Sequence, residues 1–438
     1  MTTTTEFFST DYVDYASYDN LRKICSYVDG LKNTSRKIIA TIIRNNINKE
    51  LKVLQLASKM SEQYQYLHGD ASGVIVTLAQ HHIGSNNLPL LKDAGEFGSR
   101  FEPIAAAPRY IFTHKESYFN SLFNDDDSPV LKHQTFEGEV IEPIFFIPTL
   151  PLILVNGSEG ISPGFAQKIL PRKVDGIKKS LINFINGKSI RAQKPHYNGF
   201  RGTISKGDGD SKWLISGSIK LLSMNKVEIT ELPIGYTLKS YVNILNGLED
   251  SKVLKSFEDR SDNDQFNFIV DFSRGVIRDR DEGFILDTLK LVKKVSENFT
   301  TIDQDNKIKV FNNDVDLLKA WVDIKLTYTL KRKKYMLSQM QHEGELLTSR
   351  YIFIKSVIDG DIIVTNTKKC DIIKQIKKVN GVIEKDGLYD YLLNMPIHSL
   401  TKEKVTMLKS KIKVLMVDIK SLKRKTEQEL YMEDLDQL

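Results

Sequence analysis

The chain has 438 residues, which is longer than one ordinary domain, so two to four domains are expected. Hydrophobic residues make up 41% of the chain, enough to form globular cores. Its 62 basic residues barely outnumber its 56 acidic ones, and without clustering this balance does not establish nucleic-acid binding. Cys25 and Cys370 lack the spacing of a metal or redox site. The first residues do not read as a secretory signal, and the apolar stretch 143–155 is too short for a membrane span. A soluble cytoplasmic protein is therefore expected.

The first basic segment, residues 20–37, contains five cations and a single acid, Asp29. Gly30 is expected to break this segment into two helices, because glycine is a poor helix former and a good terminator. Cations on such a framework suit phosphate contacts. A solvated basic face explains the same composition equally well, so the segment alone leaves both interpretations open.

Residues 51–82 are predicted to form two helices joined by a turn. The first begins near Leu51, and the second covers about residues 71–82, with Asp70 as its N-cap. Such a pair is typical of a helix-turn-helix DNA-binding motif, although an ordinary helical pair remains the alternative. His68, just before the second helix, is on its own more often a structural residue.

An Arg directly followed by a Tyr, Arg109 and Tyr110, comes after a loop with glycines at 95 and 98. A phenol can attack phosphorus, and a guanidinium can hold two phosphate oxygens at once. The β-rich residues 110–113 suit a strand, which after the predicted helical pair would form a wing. A tyrosine in such a dipeptide is more often a packing residue. The acidic run 125–127 is predicted to be a solvated turn and not a metal site.

The remaining chain divides into three patterns. Residues 152–164 are predicted to form a strand ending in a tight turn, and about residues 172–312 mix strands with helices. A long helix is predicted from Asp314. Its return arm has apolar residues at alternating steps of three and four, the spacing of a coiled-coil seam: Val405, Leu408, Ile412, Leu415, Ile419 and Leu422. An antiparallel coiled coil is therefore expected, with a knob at about residues 351–398.

In their order and spacing, these motifs resemble the DNA breakage-reunion subunit of type IIA topoisomerases over nearly the whole chain. The motifs that carry the resemblance are Asp29-Gly30-Leu31-Lys32, Arg36-Lys37, His68-Gly69-Asp70, Arg109-Tyr110 and Asn156-Gly157-Ser158-Glu159-Gly160-Ile161. The resemblance implies an α+β fold with a winged-helix domain at 1–150 and a mixed α/β tower domain at 151–312. A coiled coil ending in a helical dimerisation gate would follow at 313–438.

The resemblance also implies roles for individual residues. Tyr110 would form a transient 5′-phosphotyrosine link with DNA, and Arg109 would stabilise the charge of the reacting phosphate. Ile161 would intercalate between base pairs and bend the duplex. The residues implied as DNA-phosphate or transition-state contacts are Arg22, Arg36, Lys37 and His68. One departure is Tyr66, which stands where bacterial relatives carry another histidine.

Two chemical signatures are absent from the sequence: a Walker-type phosphate loop and the combined glutamate and Asp-x-Asp pattern of the family's metal-binding domain. ATP and Mg²⁺ are therefore expected to be held by partner subunits on separate chains, and neither by this chain alone. The other expected partners are double-stranded DNA and a second copy of this chain. The alternative is a non-enzymatic architectural protein, a dimeric helix-turn-helix DNA binder. It explains the basic segment and the heptads but gives no reason for Arg109-Tyr110 beside a glycine loop.

Overall fold

The computed structural model describes residues 4–438, which form two compact units. The first unit contains the residues up to 125, residues 131–325 and residues 434–438, and the second contains residues 126–130 and 326–433. The predicted mixed α+β fold class is confirmed. The three domains predicted at 1–150, 151–312 and 313–438 stay a prediction, since the compact units divide the chain differently.

The N-terminal half of the first unit combines helices with short antiparallel pairs of strands. Its helices are α1 (Thr4–Ser9), α2 (Asp11–Lys23), α3 (Asn33–Arg44), α4 (Val53–Gln63), α5 (Ser72–Ala79), α6 (Phe119–Leu122) and α7 (Leu152–Val155). Its strands are β1 (Leu51–Lys52), β2 (Leu91–Ala94), β3 (Phe112–Lys115), β4 (His133–Phe136), β5 (Glu139–Pro143), β6 (Ser158–Ser162) and β7 (Phe165–Ile169). β1 lies between α3 and α4, whereas β2 and β3 follow α5, and the order β1-β3-β2 makes a small antiparallel sheet, the arrangement of a winged helix.

Local rules explain two of the helix boundaries. Gly30 lies in the break between α2 and α3 with φ of +67°, and a Cβ there would come within 2.4 Å of the Ile153 backbone nitrogen. Asp70 is not the N-cap of α5 as predicted, because that position is held by Ala71. Asp70 lies one residue earlier, and its Oδ1 accepts from the Ser72 backbone nitrogen at 3.0 Å and the Ser72 hydroxyl at 2.7 Å, which fixes the turn into the helix. The helix itself is shorter than residues 71–82.

One predicted element has the wrong type. Residues 152–155 form the short helix α7 and not a strand, and all four side chains are buried. A continuous apolar run has no periodicity that separates a buried helix from a buried strand. The glycine-rich turn that follows does lead into a hairpin, but the hairpin is made by β6 and β7.

The second half of the first unit is built on two antiparallel sheets. Its helices are α8 (Val174–Ile185), α9 (Leu238–Asp250) and α10 (Glu282–Thr288). Its strands are β8 (Thr203–Lys206), β9 (Lys212–Ser216), β10 (Ser218–Ser223), β11 (Lys226–Glu231), β12 (Leu254–Asp259), β13 (Phe268–Phe272), β14 (Val292–Ser296), β15 (Phe299–Ile302) and β16 (Ile308–Phe311). The sheet orders are β10-β11-β13-β12 and β14-β9-β8. Alternate residues of the central strands, such as Val227, Ile229, Phe268 and Val270, build a core against α9.

The long helix α11 (Asp314–Asp359) begins in the first unit, where Leu317 and Trp321 are buried. The helices of the second unit after it are α12 (Lys369–Ile376), α13 (Asp390–Leu393), α14 (Lys402–Arg424) and α15 (Glu427–Asp436). On α14 the six residues of the predicted seam are shielded while their neighbours are largely exposed. Lys333 donates to the Lys423 carbonyl, whereas Leu347, later on α11, packs in the core with Leu408, so the two arms run antiparallel.

The acidic run 125–127 matches the predicted solvated turn only in part, because Asp125 and Asp126 are exposed but Asp127 is not. The run lies in a 3-10 helix, Asp125–Val130, and the Asp127 side chain is buried with its Oδ1 3.4 Å from Nη1 of Arg332. A buried carboxylate needs such a partner because desolvation of an isolated charge is costly. Across residues 4–438, no helix combines the length and the hydrophobicity needed to cross a bilayer.

Candidate active site

Tyr110 occupies a turn immediately before β3. Its backbone nitrogen donates to the Ala107 carbonyl at 2.9 Å, and the Val53 nitrogen donates to the Ile111 carbonyl at 3.0 Å. Ile111 is buried in the core at 1% exposure. Anchored between these bonds, Tyr110 projects the other way and is 65% exposed. The phenol is therefore accessible to a large substrate while its backbone is fixed.

The Arg109 side chain lies over the ring of Tyr110. Its guanidinium carbon is 4.7 Å from the ring centroid, within the range of a cation–π contact. Both side chains are exposed to solvent. A guanidinium held against the ring of a phenol can stabilise the negative charge that develops on a phosphate attacked by that phenol.

The loop that carries these two residues is tied to the end of α5. Gln80 donates from Nε2 to the carbonyls of Phe97, at 2.8 Å, and Pro103, at 3.1 Å. Gly98 has φ of +85°, and a Cβ there would come within 2.7 Å of the Pro103 carbonyl. The close approach explains why residue 98 is a glycine. The two hydrogen bonds of Gln80 connect the end of α5 to the loop that leads to the Arg-Tyr turn.

Three of the predicted phosphate contacts, Arg22, Lys37 and His68, come together around one cavity of about 380 Å³. Its walls are α2, α3, the loop before α5 and the β4–β5 hairpin. Neither Arg109 nor Tyr110 lines this cavity. Within a single chain, the predicted nucleophile and the group of predicted phosphate contacts are therefore separate features.

Lys37 forms part of the cavity wall and is held by two acceptors. Its Nζ lies 2.8 Å from Oε2 of Glu142 and 3.1 Å from the Tyr64 carbonyl. Glu142 is buried at 1% exposure, so the lysine supplies the charge that the buried carboxylate requires. Burial also raises the pKa of the Tyr64 phenol, which keeps this part of the wall neutral. Glu142 was not singled out by the sequence, since nothing local marks it.

Arg36 lies outside the cavity and is mostly buried, at 8% exposure. Its Nε and Nη2 donate to the two oxygens of Asp29 at 2.7 and 3.1 Å, and Nη2 also donates to the Leu31 carbonyl. Asp29 is fully buried and also accepts from the backbone nitrogen of Phe146. This geometry is that of a structural ion pair, in which Nε and Nη2 of the guanidinium are both occupied within the protein.

Ile161 stands near the end of β6, opposite Ala166 of β7, and its side chain is 73% exposed. The preceding residue, Gly160, packs so closely on α2 that a Cβ would lie 2.1 Å from the Lys23 carbonyl. One face of the hairpin is thus pressed against α2, and the opposite face presents an isoleucine to solvent. A rigidly held, exposed apolar side chain has the form of an intercalating wedge.

Comparison with known proteins identifies the class of protein in which this arrangement is found. The chain superposes on the Plasmodium falciparum topoisomerase II DNA-binding, cleavage and re-ligation domain with a TM-score of 0.88 and 29% identity, covering 99% of this chain and 63% of that one. The family model for the A subunit of DNA gyrase/topoisomerase IV matches residues 22–436. The chain belongs to this family, and the family resemblance predicted from the sequence is confirmed.

Individual relatives are longer than this chain. DNA topoisomerase 2, mitochondrial, of Dictyostelium discoideum is 32% identical over 447 residues, which cover 99% of this chain and 35% of the relative. DNA topoisomerase 2 of Bombyx mori is 30% identical over 494 residues, covering 99% of this chain and 32% of the relative. The chain therefore spans about a third of the length of these relatives.

Proposed function

We propose that this chain is the DNA-cleaving and rejoining subunit of an ATP-dependent type II DNA topoisomerase. The observation that carries the proposal is the exposed Tyr110 phenol on a fixed turn beside Arg109, in a chain of this family. A packing tyrosine would be buried, so its exposure favours the enzyme over the architectural DNA binder. DNA would be its substrate, and the outcome would be a change in supercoiling and linkage.

In the proposed reaction, the Tyr110 phenol oxygen attacks a backbone phosphorus. The new O–P bond forms as the P–O3′ bond breaks, and the departing oxygen gains a proton in place of the one lost by the phenol. The strand is left with a 3′ hydroxyl and a 5′ phosphotyrosine. Rejoining is the reverse transfer, and Arg109 stabilises phosphate charge in both directions.

Arg22, Lys37 and His68 are proposed to hold DNA phosphates, because they share one cavity wall with accessible polar surface. The sequence-based role for Arg36 needs correction in this proposal. A phosphate could engage Arg36 only by breaking its buried pair with Asp29, which costs several kcal/mol per uncompensated ion. We assign Arg36 to holding the backbone between α2 and α3 and not to DNA contact.

The family implies Mg²⁺, and the residues of this chain do not fit such a site. Residues 4–438 contain no group of three or more His, Cys, Asp or Glu that could hold a metal ion. Glu96, near Tyr110 in sequence, accepts from the Gly98 nitrogen at 3.0 Å and so stabilises its loop. We propose that Mg²⁺ and ATP are held by partner subunits on separate chains. The much greater length of the relatives supports further parts beyond this one.

The proposed assembly contains two copies of this chain, each supplying one Tyr110 for one strand. The helical knob at 351–398 is proposed to pair with its twin as the exit gate for the passed duplex, and its core includes Phe353, Ile376 and Leu392. This division of labour resembles that of a T-even phage topoisomerase, with the present chain as the medium subunit. As the medium subunit of a phage topoisomerase, the protein would act in the cytoplasm of the host cell.

The decisive experiment compares the chain alone with the chain copurified with its native partners. Each preparation is incubated with supercoiled DNA and Mg²⁺, and the reaction is stopped with denaturant. We expect protein-linked linear DNA only with partners, while the chain alone binds duplex. Robust Tyr110-dependent cleavage by the isolated chain would place the metal site within it. The absence of any adduct in the complete complex would favour the architectural alternative.

Arg109→Ala is expected to slow single-turnover cleavage by about 10²–10³-fold, the scale for losing one charged transition-state donor. Arg109→Lys keeps the charge but loses the planar fork, so it should recover only part of the rate. Adduct formation after rapid mixing with DNA measures both variants. A near-normal rate for the alanine variant would remove Arg109 from the mechanism.

Ile161→Ala is expected to reduce DNA bending more than DNA affinity, because the wedge creates the kink while cations supply most of the binding energy. Energy transfer between dyes at the two duplex ends reports the bend, and a titration reports affinity. Leu221→Ala is the matched control, since it also shortens an exposed aliphatic side chain on a hairpin strand. An unchanged bend in the Ile161 variant contradicts the wedge.

A further inference from the structure

Tyr18, which sequence analysis did not single out, connects two of the residues around the cavity. Its hydroxyl oxygen lies 2.6 Å from Nε2 of His68. The guanidinium carbon of Arg22, one turn further along α2, lies 5.6 Å from the centroid of the Tyr18 ring. All three side chains line the same cavity. Tyr18 therefore sets the position of both the histidine and the arginine.

The hydrogen bond to Nε2 constrains where His68 carries its proton. A phenol is a better donor than a neutral imidazole N–H, and the unprotonated imidazole nitrogen is a good acceptor. In the neutral ring, Tyr18 thus donates to Nε2, and the proton resides on Nδ1.

Protonation of the imidazole does not remove the donor at Nδ1. In the imidazolium both nitrogens carry hydrogen, and the Nε2–H then donates to the Tyr18 oxygen. Nδ1 carries a hydrogen in either state, and it has no hydrogen-bond partner among the described residues. His68 is exposed, so Nδ1–H can meet a ligand that enters the cavity.

We propose that Tyr18 is a positioning residue that keeps a proton on Nδ1 of His68, so that the histidine donates to a phosphodiester oxygen whether or not it is charged. The inference rests on the proposed function, because the phosphodiester belongs to the cleaved DNA strand. Arg22 supplies the accompanying cation at the same wall of the cavity.

Tyr66 provides a matched control for Tyr18. Its ring also packs on His68, with centroids 5.7 Å apart and planes at 71°, an edge contact without a hydrogen bond between the two side chains. Tyr66→Phe and Tyr18→Phe each remove one hydroxyl next to His68. Only the second removes the group that holds Nε2.

The first test is the tautomer of His68, read from nitrogen chemical shifts of the full chain labelled with ¹⁵N-histidine. His68→Gln identifies the resonances. We expect the Nδ1–H form in the wild type and in Tyr66→Phe, and a population with Nε2–H in Tyr18→Phe. An Nε2–H form in the wild type, or no change in Tyr18→Phe, overturns the inference and leaves the proposed function standing.

The second test is the pH profile of single-turnover Tyr110 adduct formation by the complex with native partners. Besides Tyr18, the ionisable groups around His68 are Arg22 on α2, Lys37 on α3, Tyr64, Tyr66 and Asp70 of its loop, and Glu142 on β5. All of them are the same in the two variants, apart from Tyr66, which is replaced in Tyr66→Phe. At pH 8, the rate of adduct formation by Tyr18→Phe should be at least about tenfold lower than that of the wild type, which is the scale of one hydrogen bond to a charged group.

The two variants should diverge with pH. At low pH, once the imidazole is protonated, both of its nitrogens carry hydrogen, and Tyr18→Phe should regain most of its loss of cleavage rate relative to the wild type at the same pH. Tyr66→Phe should follow the wild type throughout. Equal profiles for the two variants overturn the inference. A wild-type complex that forms no adduct overturns the proposed function itself.

Discussion

Tyr110→Phe is expected to abolish the covalent DNA adduct while leaving duplex binding largely intact. Phenylalanine keeps the ring on which the Arg109 guanidinium rests, 4.7 Å from its centroid, so the local packing survives. The only group lost is the oxygen that attacks phosphorus. Binding persists because its free energy comes mainly from cations along the phosphate backbone.

The measurement is adduct formation by the complete complex after a denaturing stop, with affinity taken from a separate titration at fixed salt. Tyr15→Phe is the matched control, because Tyr15 on α2 is 57% exposed and Tyr110 is 65% exposed. The control should cleave normally. An adduct that persists in Tyr110→Phe, or that disappears in Tyr15→Phe, assigns the nucleophile elsewhere.

Glu297→Ala is expected to destabilise the first unit by about 3–5 kcal/mol, the cost of leaving a buried charge without its partner. Glu297 accepts from Nη1 and Nη2 of Arg172 at 2.7 and 2.9 Å, and Arg172 is 1% exposed. It also accepts from the Leu170 nitrogen and the Trp213 indole, both at 2.8 Å. Removing the Glu297 carboxylate therefore leaves all of these donors without this acceptor.

Asp314 cannot take over the role of Glu297. Its Oδ2 lies 3.8 Å from Nε of Arg172, beyond hydrogen-bond distance. Burial also raises the pKa of the Asp314 carboxyl above its usual range, which makes this group a poorer source of negative charge. The guanidinium of Arg172 would thus remain under-compensated in the variant.

Denaturant unfolding followed by tryptophan fluorescence measures the effect, since both tryptophans, Trp213 and Trp321, belong to the first unit. Glu258→Ala is the control, because Glu258 pairs with Arg260 on the surface and the two side chains are 58% and 55% exposed. An exposed pair of this kind contributes little. Equal midpoints for the two variants would contradict a stabilising role for the buried pair.

The parts of the fold that follow from neighbouring residues could be predicted. The break at Gly30 and the seam of α14 depend on backbone freedom and on helical spacing, both of which are visible in a short window. Two neighbouring boundaries were missed by one or two residues. The N-cap of α5 is Ala71 and not Asp70, and Tyr110, predicted to begin a strand, lies in a turn before β3, which begins at Phe112.

The parts that depend on distant partners could not be predicted. Arg22 and Arg36 look alike in one basic segment, yet Arg36 is buried because Asp29 accepts both from it and from the Phe146 nitrogen far along the chain. Asp127 likewise leaves solvent only because Arg332 lies beside it. Tyr18 shows the same limit, since its hydrogen bond to His68 joins helix α2 to the loop before α5.

The tight seating of Gly160 on the Lys23 carbonyl joins the Ile161 hairpin to the helix that carries Tyr18 and Arg22. A second tie, from Nζ of Lys32 to the Glu159 carbonyl at 2.7 Å, stiffens the same junction. Under the proposed function, bending of the duplex by Ile161 and backbone contact by Arg22 would be coupled, because these contacts hold the hairpin and the helix together. We expect the enzyme to favour cleavage where flexible pyrimidine–purine steps lower the cost of deformation, a selectivity that needs no contact with base edges.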